Sequence, residues 1–197
     1  LSGTVERYRS LKVSRRRGNA IRQSLVERGL IEMVDIYTRG GKTVLLELTA
    51  EGRKILRGLG FDSPERSRWG SLEHEFWKHK AADKLRAKGW LVKVEEGIPA
   101  GTEKQERHER EAASGYTDLV AEKDGLRIAV EIETGRSDWR RNLEKNLKAG
   151  FSEIFILATS MEVRAAVSAE ALEMAPGRRV EVVLAQDFVE SAGLPGS

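Results

Sequence analysis

The stretch YTDLVAEKDGLRIAVEIE, residues 116–133, decides the fold of the second half of the chain. Two runs rich in leucine, valine and isoleucine flank Lys123-Asp124-Gly125, which is typical of a tight hairpin turn, so the stretch predicts two antiparallel strands. Side chains two positions apart on a strand share a face, so Glu131 and Glu133 are expected to point the same way. Because an unpaired carboxylate is costly to bury, these acids need a partner.

The segments around this hairpin alternate between helical and strand patterns, except for the polar residues 97–114, which carry no core pattern. The predicted elements are a helix over 71–89, a strand over 90–96, the hairpin, a helix over 137–150 capped by Ser137, a strand over 153–159, a helix over 160–175 and a strand over 178–185. This order predicts an α/β fold, with a mixed sheet flanked by helices.

The first part of the chain predicts a smaller module of helices and one hairpin. Helices are expected over residues 4–10 and 14–28, because Ser14 is a good N-cap and Gly29 stands where a helix ends. Alternating residues then predict two strands about the tip Arg39-Gly40-Gly41-Lys42, followed by a helix capped by Thr49.

This order of helix, turn, helix and hairpin with a basic tip resembles the winged helix-turn-helix DNA-binding domains, over residues 1–58. In that family the second helix enters the major groove and the wing contacts the backbone or the minor groove. The resemblance implies DNA contacts from the start of the second helix and from the wing, through Arg15, Arg16, Arg17, Asn19, Arg22, Arg39 and Lys42. A winged helix used only for dimerisation or packing, with solvated arginines, is the alternative.

Charge is distributed unevenly along the chain. Residues 1–60 hold 13 lysines and arginines and 6 acids, whereas the remainder holds 21 and 25. A basic module, which indicates a polyanionic partner, thus precedes a mildly acidic one, with the linker expected at residues 59–70.

The absence of cysteine excludes disulfides and thiolate metal sites. Since the sequence has no signal peptide and no apolar run long enough for a membrane span, we expect a cytoplasmic protein without a membrane partner, nucleoid-associated in a prokaryote if it binds DNA.

Residues 71–190 resemble the PD-(D/E)xK nuclease superfamily, whose restriction endonuclease-like core has the order αβββαβ. In that family an Asp on the second core strand and an acid-x-Lys on the third converge on Mg²⁺ or Mn²⁺. Here Asp118 and Glu131 take the Asp and acid positions. The resemblance implies that both hold the metal, which makes hydroxide from water and neutralises charge on the phosphorus oxygens. Alternatively, both acids form ion pairs with Arg127 or Arg136.

Glu133 occupies the position of the family's lysine. Some restriction endonucleases of the superfamily use Glu-x-Glu, with the second Glu as ligand or base, and other members carry the lysine on the next helix. Lys145 is the candidate for that cation, with a surface lysine as the alternative. The first helix of the family often supplies a further acid, for which Glu75 is the candidate metal ligand and a solvated helix face the alternative.

These features predict a DNA-binding protein with a Mg²⁺-dependent endonuclease-like domain, acting on duplex or branched DNA in DNA processing or mobile-element biology. The competing hypothesis is a non-catalytic DNA-binding or docking module with a degenerate nuclease fold. The stretch VEIETG, followed by NLEKNLKAGFSEIFILAT, resembles domains at the C-termini of DNA-translocating or conjugation ATPases. A linked or separate ATPase and a second copy of the chain, as a homodimer, are therefore further partners that the sequence leaves open.

Overall fold

The computed structural model describes residues 3–62, 70–98 and 115–193. The chain divides into two compact units, Leu1–Phe76 and Trp77–Ser197. It contains a two-stranded sheet and a five-stranded mixed sheet together with helices, which confirms the predicted α/β class. Most of the predicted linker at 59–70 and most of the polar segment at 97–114 lie outside the described residues.

The first unit has the predicted succession of helices and one hairpin. Its elements are α1 (Thr4–Ser10), α2 (Arg15–Glu27), β1 (Ile31–Thr38), β2 (Gly41–Leu48) and α3 (Ala50–Gly58). The hydroxyl of Ser14 accepts a hydrogen bond from the backbone N–H of Arg17 and caps α2, as predicted. The hydroxyl of Thr49 caps α3 in the same way, through the N–H of Gly52. These caps satisfy backbone donors that a helix leaves unpaired at its first turn.

The core of the first unit joins the hairpin and the first two helices. Ile36 of β1 and Leu45 of β2 are each 1% exposed. Gly18 of α2 lies against the ring of Tyr8 on α1, where an added Cβ would come within 2.6 Å of the ring. Only a glycine therefore allows the two helices to approach this closely.

The second sheet carries the core of the second unit. The elements after the first unit's hairpin and α3 are α4 (Leu72–Ala87), β3 (Leu91–Ile98), β4 (Gly115–Lys123), β5 (Leu126–Glu133), α5 (Trp139–Lys148), β6 (Glu153–Ala158), α6 (Met161–Met174), β7 (Arg179–Leu184) and α7 (Ala185–Glu190). The strand order is β3-β4-β5-β6-β7, antiparallel from β3 to β5 and parallel from β5 to β7. The helices after β5 and β6 are the crossovers that parallel strands require.

Helices cover both faces of this sheet. Ile154 and Ile156 of β6 belong to a buried cluster that includes Leu143 of α5 and Val167 of α6. Phe155 points to the opposite face, where its ring lies 5.5 Å from that of Phe188 on α7. The short helix α7 was not among the predicted elements. On that side the ammonium of Lys84 on α4 donates a 2.6 Å hydrogen bond to the hydroxyl of Ser191. This bond connects α4 to the segment after α7.

The start of α5 differs from the prediction. Its N-cap is Asp138, whose Oδ1 accepts from the N–H of Arg141 at 3.3 Å, and not Ser137. The Ser137 hydroxyl is directed at another partner, described below. Both side chains are capable N-caps, so the choice between them depends on what else competes for the serine.

The two strands of the predicted hairpin separate before they end. Their pairing runs from Lys123↔Leu126 to Leu119↔Val130. Beyond this point β4 pairs with β3 as far as Ile98↔Gly115, while β5 pairs with β6 as far as Glu133↔Ala158. The sheet therefore opens between β4 and β5 at the positions of the predicted acids. Among the helices of the described residues, none has the length and apolar character needed to cross a membrane.

Candidate active site

Asp118 lies where β4 leaves β5. Its Oδ2 accepts a 2.8 Å hydrogen bond from the backbone N–H of Ile132, one residue beyond Glu131. The carboxylate thus pairs a backbone donor that has lost its strand partner, since buried N–H groups need an acceptor. This contact fixes the Asp118 side chain beside the end of β5.

Glu131 is the central acid of the site and is 6% exposed. Its Oε1 accepts from Asn146 Nδ2 at 2.6 Å and from Lys145 Nζ at 3.1 Å. Asn146 is fully buried and its Oδ1 accepts from the hydroxyl of Thr117 at 2.7 Å. A chain of buried hydrogen bonds therefore runs from β4 through α5 to Glu131 on β5, and such chains fix side chains in one arrangement.

Lys145 reaches Glu131 from the helix that follows β5. Its ammonium also donates to the backbone carbonyl of Tyr116, so it bridges β4 and β5 across their separation. Its side chain is 8% exposed. Gly115 leaves room for it, because a Cβ there would lie 2.8 Å from Lys145 Cδ. The structure thus brings together Asp118, Glu131 and Lys145 of the predicted residues.

The electrostatics of the site are set by two neighbouring acids, of which Glu131 is buried and Asp118 is half-buried. Burial, together with the nearby charge of Asp118, raises the pKa of Glu131 to about 8, although Lys145 and Asn146 act in the opposite direction. Two carboxylates in a region of low dielectric favour a shared proton or a cation between them. One lysine leaves this pair short of positive charge.

Glu133 is 2% exposed and turns back to its own loop. Its Oε1 accepts from the N–H of Gly135 at 2.6 Å, and its Oε2 accepts from the hydroxyl of Ser137. This is the partner that draws Ser137 away from the N-cap of α5. In this structure the second acid of Glu-x-Glu therefore braces the connection between β5 and α5.

An ion pair with one buried partner joins α4 to β3 next to the site. The ammonium of Lys78, which is 1% exposed, lies 2.6 Å from Oε1 of Glu95. Glu95 has φ +54 and lies opposite Asp118, between the pairs Val94↔Leu119 and Glu96↔Thr117, and the β3–β4 register is the same on both sides of it. Neither Lys78 nor Glu95 was among the predicted site residues.

The carboxylate oxygens of the site suit a hard divalent cation that takes few ligands from the protein. In residues 3–62, 70–98 and 115–193, no group of three or more acidic, histidine or cysteine side chains is arranged to hold a metal. Mg²⁺ commonly binds one or two carboxylates and keeps several waters, which fits the pair of Asp118 and Glu131. Glu75, the third predicted ligand, lies on α4 within the first unit, with Oε1 3.5 Å from Nδ1 of His74.

The predicted DNA-contacting residues lie in the first unit. Three of them form the exposed N-terminal turn of α2: Arg15, Arg16 and Arg17. Asn19 is exposed but accepts a 3.0 Å hydrogen bond from the hydroxyl of Tyr8, and Arg22 is half-buried. Arg39 is exposed at the hairpin, whereas Lys42 bonds to Asp35 across the strands at 2.8 Å. Of the predicted cations, the three arginines at the start of α2 are exposed to solvent without a salt bridge to an acid in the described part of the chain.

Asn146, like its hydrogen-bond partner Thr117, is a site residue that sequence reasoning missed. It lies seven residues after Trp139, on the inward stripe of α5 that Leu143 continues. A polar residue on such a stripe is a signal, because a buried amide requires partners.

No protein-family model and no curated protein matches the chain. A solved structure titled "Crystal Structure of Protein of Unknown Function AF1548" is similar to it, with 16% identity and a TM-score of 0.34. The similarity covers 59% of this chain and 60% of that one. The chain therefore spans about three fifths of that protein's length.

Proposed function

We propose that the chain is a DNA-binding protein whose second unit hydrolyses phosphodiester bonds with a divalent metal, in the manner of PD-(D/E)xK nucleases. The observation that carries the proposal is the group of Asp118, Glu131 and Lys145 at the separation of β4 and β5. The order α4-β3-β4-β5-α5-β6 supports it, because it is the order of that superfamily's core.

Asp118 and Glu131 would hold Mg²⁺ or Mn²⁺. The ion, when bound, supplies a water of lowered pKa and neutralises charge on the phosphate. The raised pKa of Glu131 supports this role, because a buried carboxylate next to a second acid is stabilised by an added positive charge. Asn146 orients the Glu131 carboxylate through its 2.6 Å hydrogen bond.

Lys145 takes the place of the family's lysine in this proposal. It approaches the acid pair from α5 and not from β5, and Glu133 is then released from the catalytic role. A lysine beside the reacting phosphate stabilises negative charge that develops there. Arg141 and Lys148 lie four residues before and three residues after Lys145 on the same helix and are exposed, so they extend a cationic stripe for the phosphate backbone.

The first unit would bind duplex or branched DNA in the manner of a winged helix. Three arginines at the N-terminus of α2 oppose the helix dipole and contribute little to folding. Their exposure and charge suit phosphate or base contacts in the major groove.

A second candidate function is a non-catalytic DNA-binding or docking module, including one attached to a DNA-translocating ATPase. Two observations favour it. The ammonium of Lys145 already lies 3.1 Å from Glu131 and so partly neutralises that acid without a metal. Glu133 stands where the nuclease superfamily has its lysine. Under this candidate the cluster only stabilises the sheet where β4 and β5 separate.

The test is a cleavage assay with the full chain on linear, supercoiled and branched DNA, with Mg²⁺, Mn²⁺ or EDTA. The proposal predicts metal-dependent cleavage that Asp118→Asn abolishes. The matched control is Asp124→Asn on the same hairpin, where the turn residue is exposed and has φ +50, which asparagine accepts. If the protein binds these DNAs but leaves all of them intact with either metal, the non-catalytic function replaces the nuclease.

A further inference from the structure

A cavity of about 290 Å³ lies between the loop after β5 and the first turns of α6. This cavity is called the α6 cleft below. Its lining includes two carboxylates, an indole, a hydroxyl and an apolar wall: Glu133, Glu162, Trp139, Ser137, Val163, Ala166 and Val167, with Gly135 in the loop. The cleft lies at the carboxyl ends of the parallel strands β5 and β6, which is where open α/β sheets most often bind ligands.

The loop closely approaches α6 at the cleft. Gly135 has φ +80, and an added Cβ there would lie 3.1 Å from Cγ2 of Val163. A residue with a side chain would be strained in this conformation and would press against α6. The glycine therefore shapes this wall of the cleft.

The charge that lines the α6 cleft is negative. The two hydrogen bonds that Glu133 accepts come from the neutral groups of Gly135 and Ser137, so they do not cancel its charge. Glu162 is exposed, and the side chain of Ser160 lowers the pKa of Glu162, which keeps it ionised. Within the described part of the chain, no lysine or arginine is among the lining residues.

Arg140, next to the lining residue Trp139, is already engaged. The guanidinium of Arg140 lies 4.7 Å from the centre of the Trp139 ring and is paired through two nitrogens with the carboxylate of Glu170. A bidentate pair of this kind holds both groups in a fixed geometry. Within the described residues, Glu133 has the two hydrogen bonds from Gly135 and Ser137 and no ion-pair partner, so a cationic ligand would meet an uncompensated carboxylate.

We propose that the α6 cleft binds a small aliphatic diamine. Ammonium groups match the carboxylates of Glu133 and Glu162, and methylene groups match the wall formed by Val163 and Val167. The indole of Trp139, which already holds Arg140 near its ring, adds further apolar surface for the methylene groups. The volume is close to the lower limit of small-molecule pockets, which favours a compact ligand. This site is independent of the proposed nuclease function.

The test is calorimetric titration of the full chain with 1,5-diaminopentane at low ionic strength, beside the neutral 1,5-pentanediol. We expect saturable binding of one diamine and none of the diol. Glu162→Gln should weaken the affinity roughly two- to fivefold, as for loss of one exposed ionic contact. Its matched control is Glu173→Gln, at an exposed position near the end of the same helix, which should bind as the wild type does.

A second variant fills the cleft without changing its charge. Ala166 is exposed on the α6 wall, so Ala166→Trp leaves the core of the unit intact and should abolish binding. Circular dichroism checks that each variant is folded. Equal binding by Ala166→Trp, or the lack of saturable binding by the wild type, would overturn the proposal.

Discussion

Asn146 on α5 donates a 2.6 Å hydrogen bond to Glu131 on β5, and both side chains are buried. The same amide accepts from Thr117 on β4. One asparagine thus connects the two strands at the place where their backbone pairing has ended. This contact partly explains why a core strand can carry an acid, because Glu131 accepts from the neutral amide of Asn146 as well as from Lys145.

Asn146→Ala should therefore destabilise the second unit. The substitution removes two buried hydrogen bonds and leaves the hydroxyl of Thr117 and one oxygen of Glu131 with fewer partners. We expect a loss of about 2–4 kcal/mol in the free energy of unfolding, measured by urea denaturation. Glu144→Ala, at an exposed position on the same helix, should change it by less than about 0.5 kcal/mol. Equal effects of the two substitutions would contradict the role given to Asn146.

The stability of the metal-free protein should fall as the pH rises through neutrality. The pKa of Glu131 is raised from 4.5 to about 8 in the folded state, so the folded state holds a proton that the unfolded state has lost in this range. The contribution of Glu131 is fully present below pH 4.5 and is lost as the pH approaches 8. Urea denaturation at several pH values measures it.

Glu131→Gln is the control for this pH dependence. Its amide keeps an oxygen for the Asn146 donor but does not titrate, so the slope between pH 4.5 and 8 should decrease. Saturating Mg²⁺ should also reduce the slope in the wild type, because the ion favours the ionised carboxylate. An unchanged slope in Glu131→Gln would show that other groups carry the pH dependence.

Lys145→Met should reduce DNA cleavage by roughly 100-fold or more, because it removes the cation beside the acid pair. Lys148→Met is the matched control, since Lys148 is exposed on the same helix. We expect the control to retain the cleavage rate and at most to weaken DNA binding. Single-turnover rates at saturating protein separate the two effects. Full activity in Lys145→Met would exclude this lysine as the replacement for the family's lysine.

The double substitution of Arg16→Ala and Arg17→Ala should weaken DNA binding. Each phosphate contact that is lost lowers the slope of log affinity against log salt by about 1. Fluorescence anisotropy over a range of salt concentrations measures this slope. Lys54→Ala, at an exposed position on α3, is the control. An unchanged salt slope in the double variant would place the DNA-binding surface elsewhere in the chain.

The fold was predictable where local patterns dominate. Ser14 and Thr49 mark the helix starts that the structure has, and Asp124-Gly125 turns the hairpin with both residues at positive φ. The helix α7 escaped prediction because Ala185 directly follows the apolar strand β7, so no turn signal separates them. Sequence periodicity alone does not distinguish such a continuation from a longer strand.

The site was predictable only in part. Asp118 and Glu131 could be placed together because adjacent strands of one tight hairpin bring such positions side by side. The pairing of β4 with β5 ends because β4 stays paired with β3 while β5 stays paired with β6. The hydrogen bond from Ile132 to Asp118 depends on this separation, which a local sequence pattern does not encode. Ser137 bonds to Glu133 instead of capping α5, because the buried Glu133 carboxylate needs hydrogen-bond donors. A local sequence pattern does not show this need either.

The most direct test of the central claim is a search for a divalent ion between Asp118 and Glu131. Crystals of the full chain soaked in Mn²⁺, with data collected at the manganese absorption edge, locate the ion by its anomalous scattering. The account predicts one peak contacted by both carboxylates, and its loss in Asp118→Asn. Two ordered carboxylates with the ammonium of Lys145 still bonded to Glu131, and no peak between them, would contradict the claim.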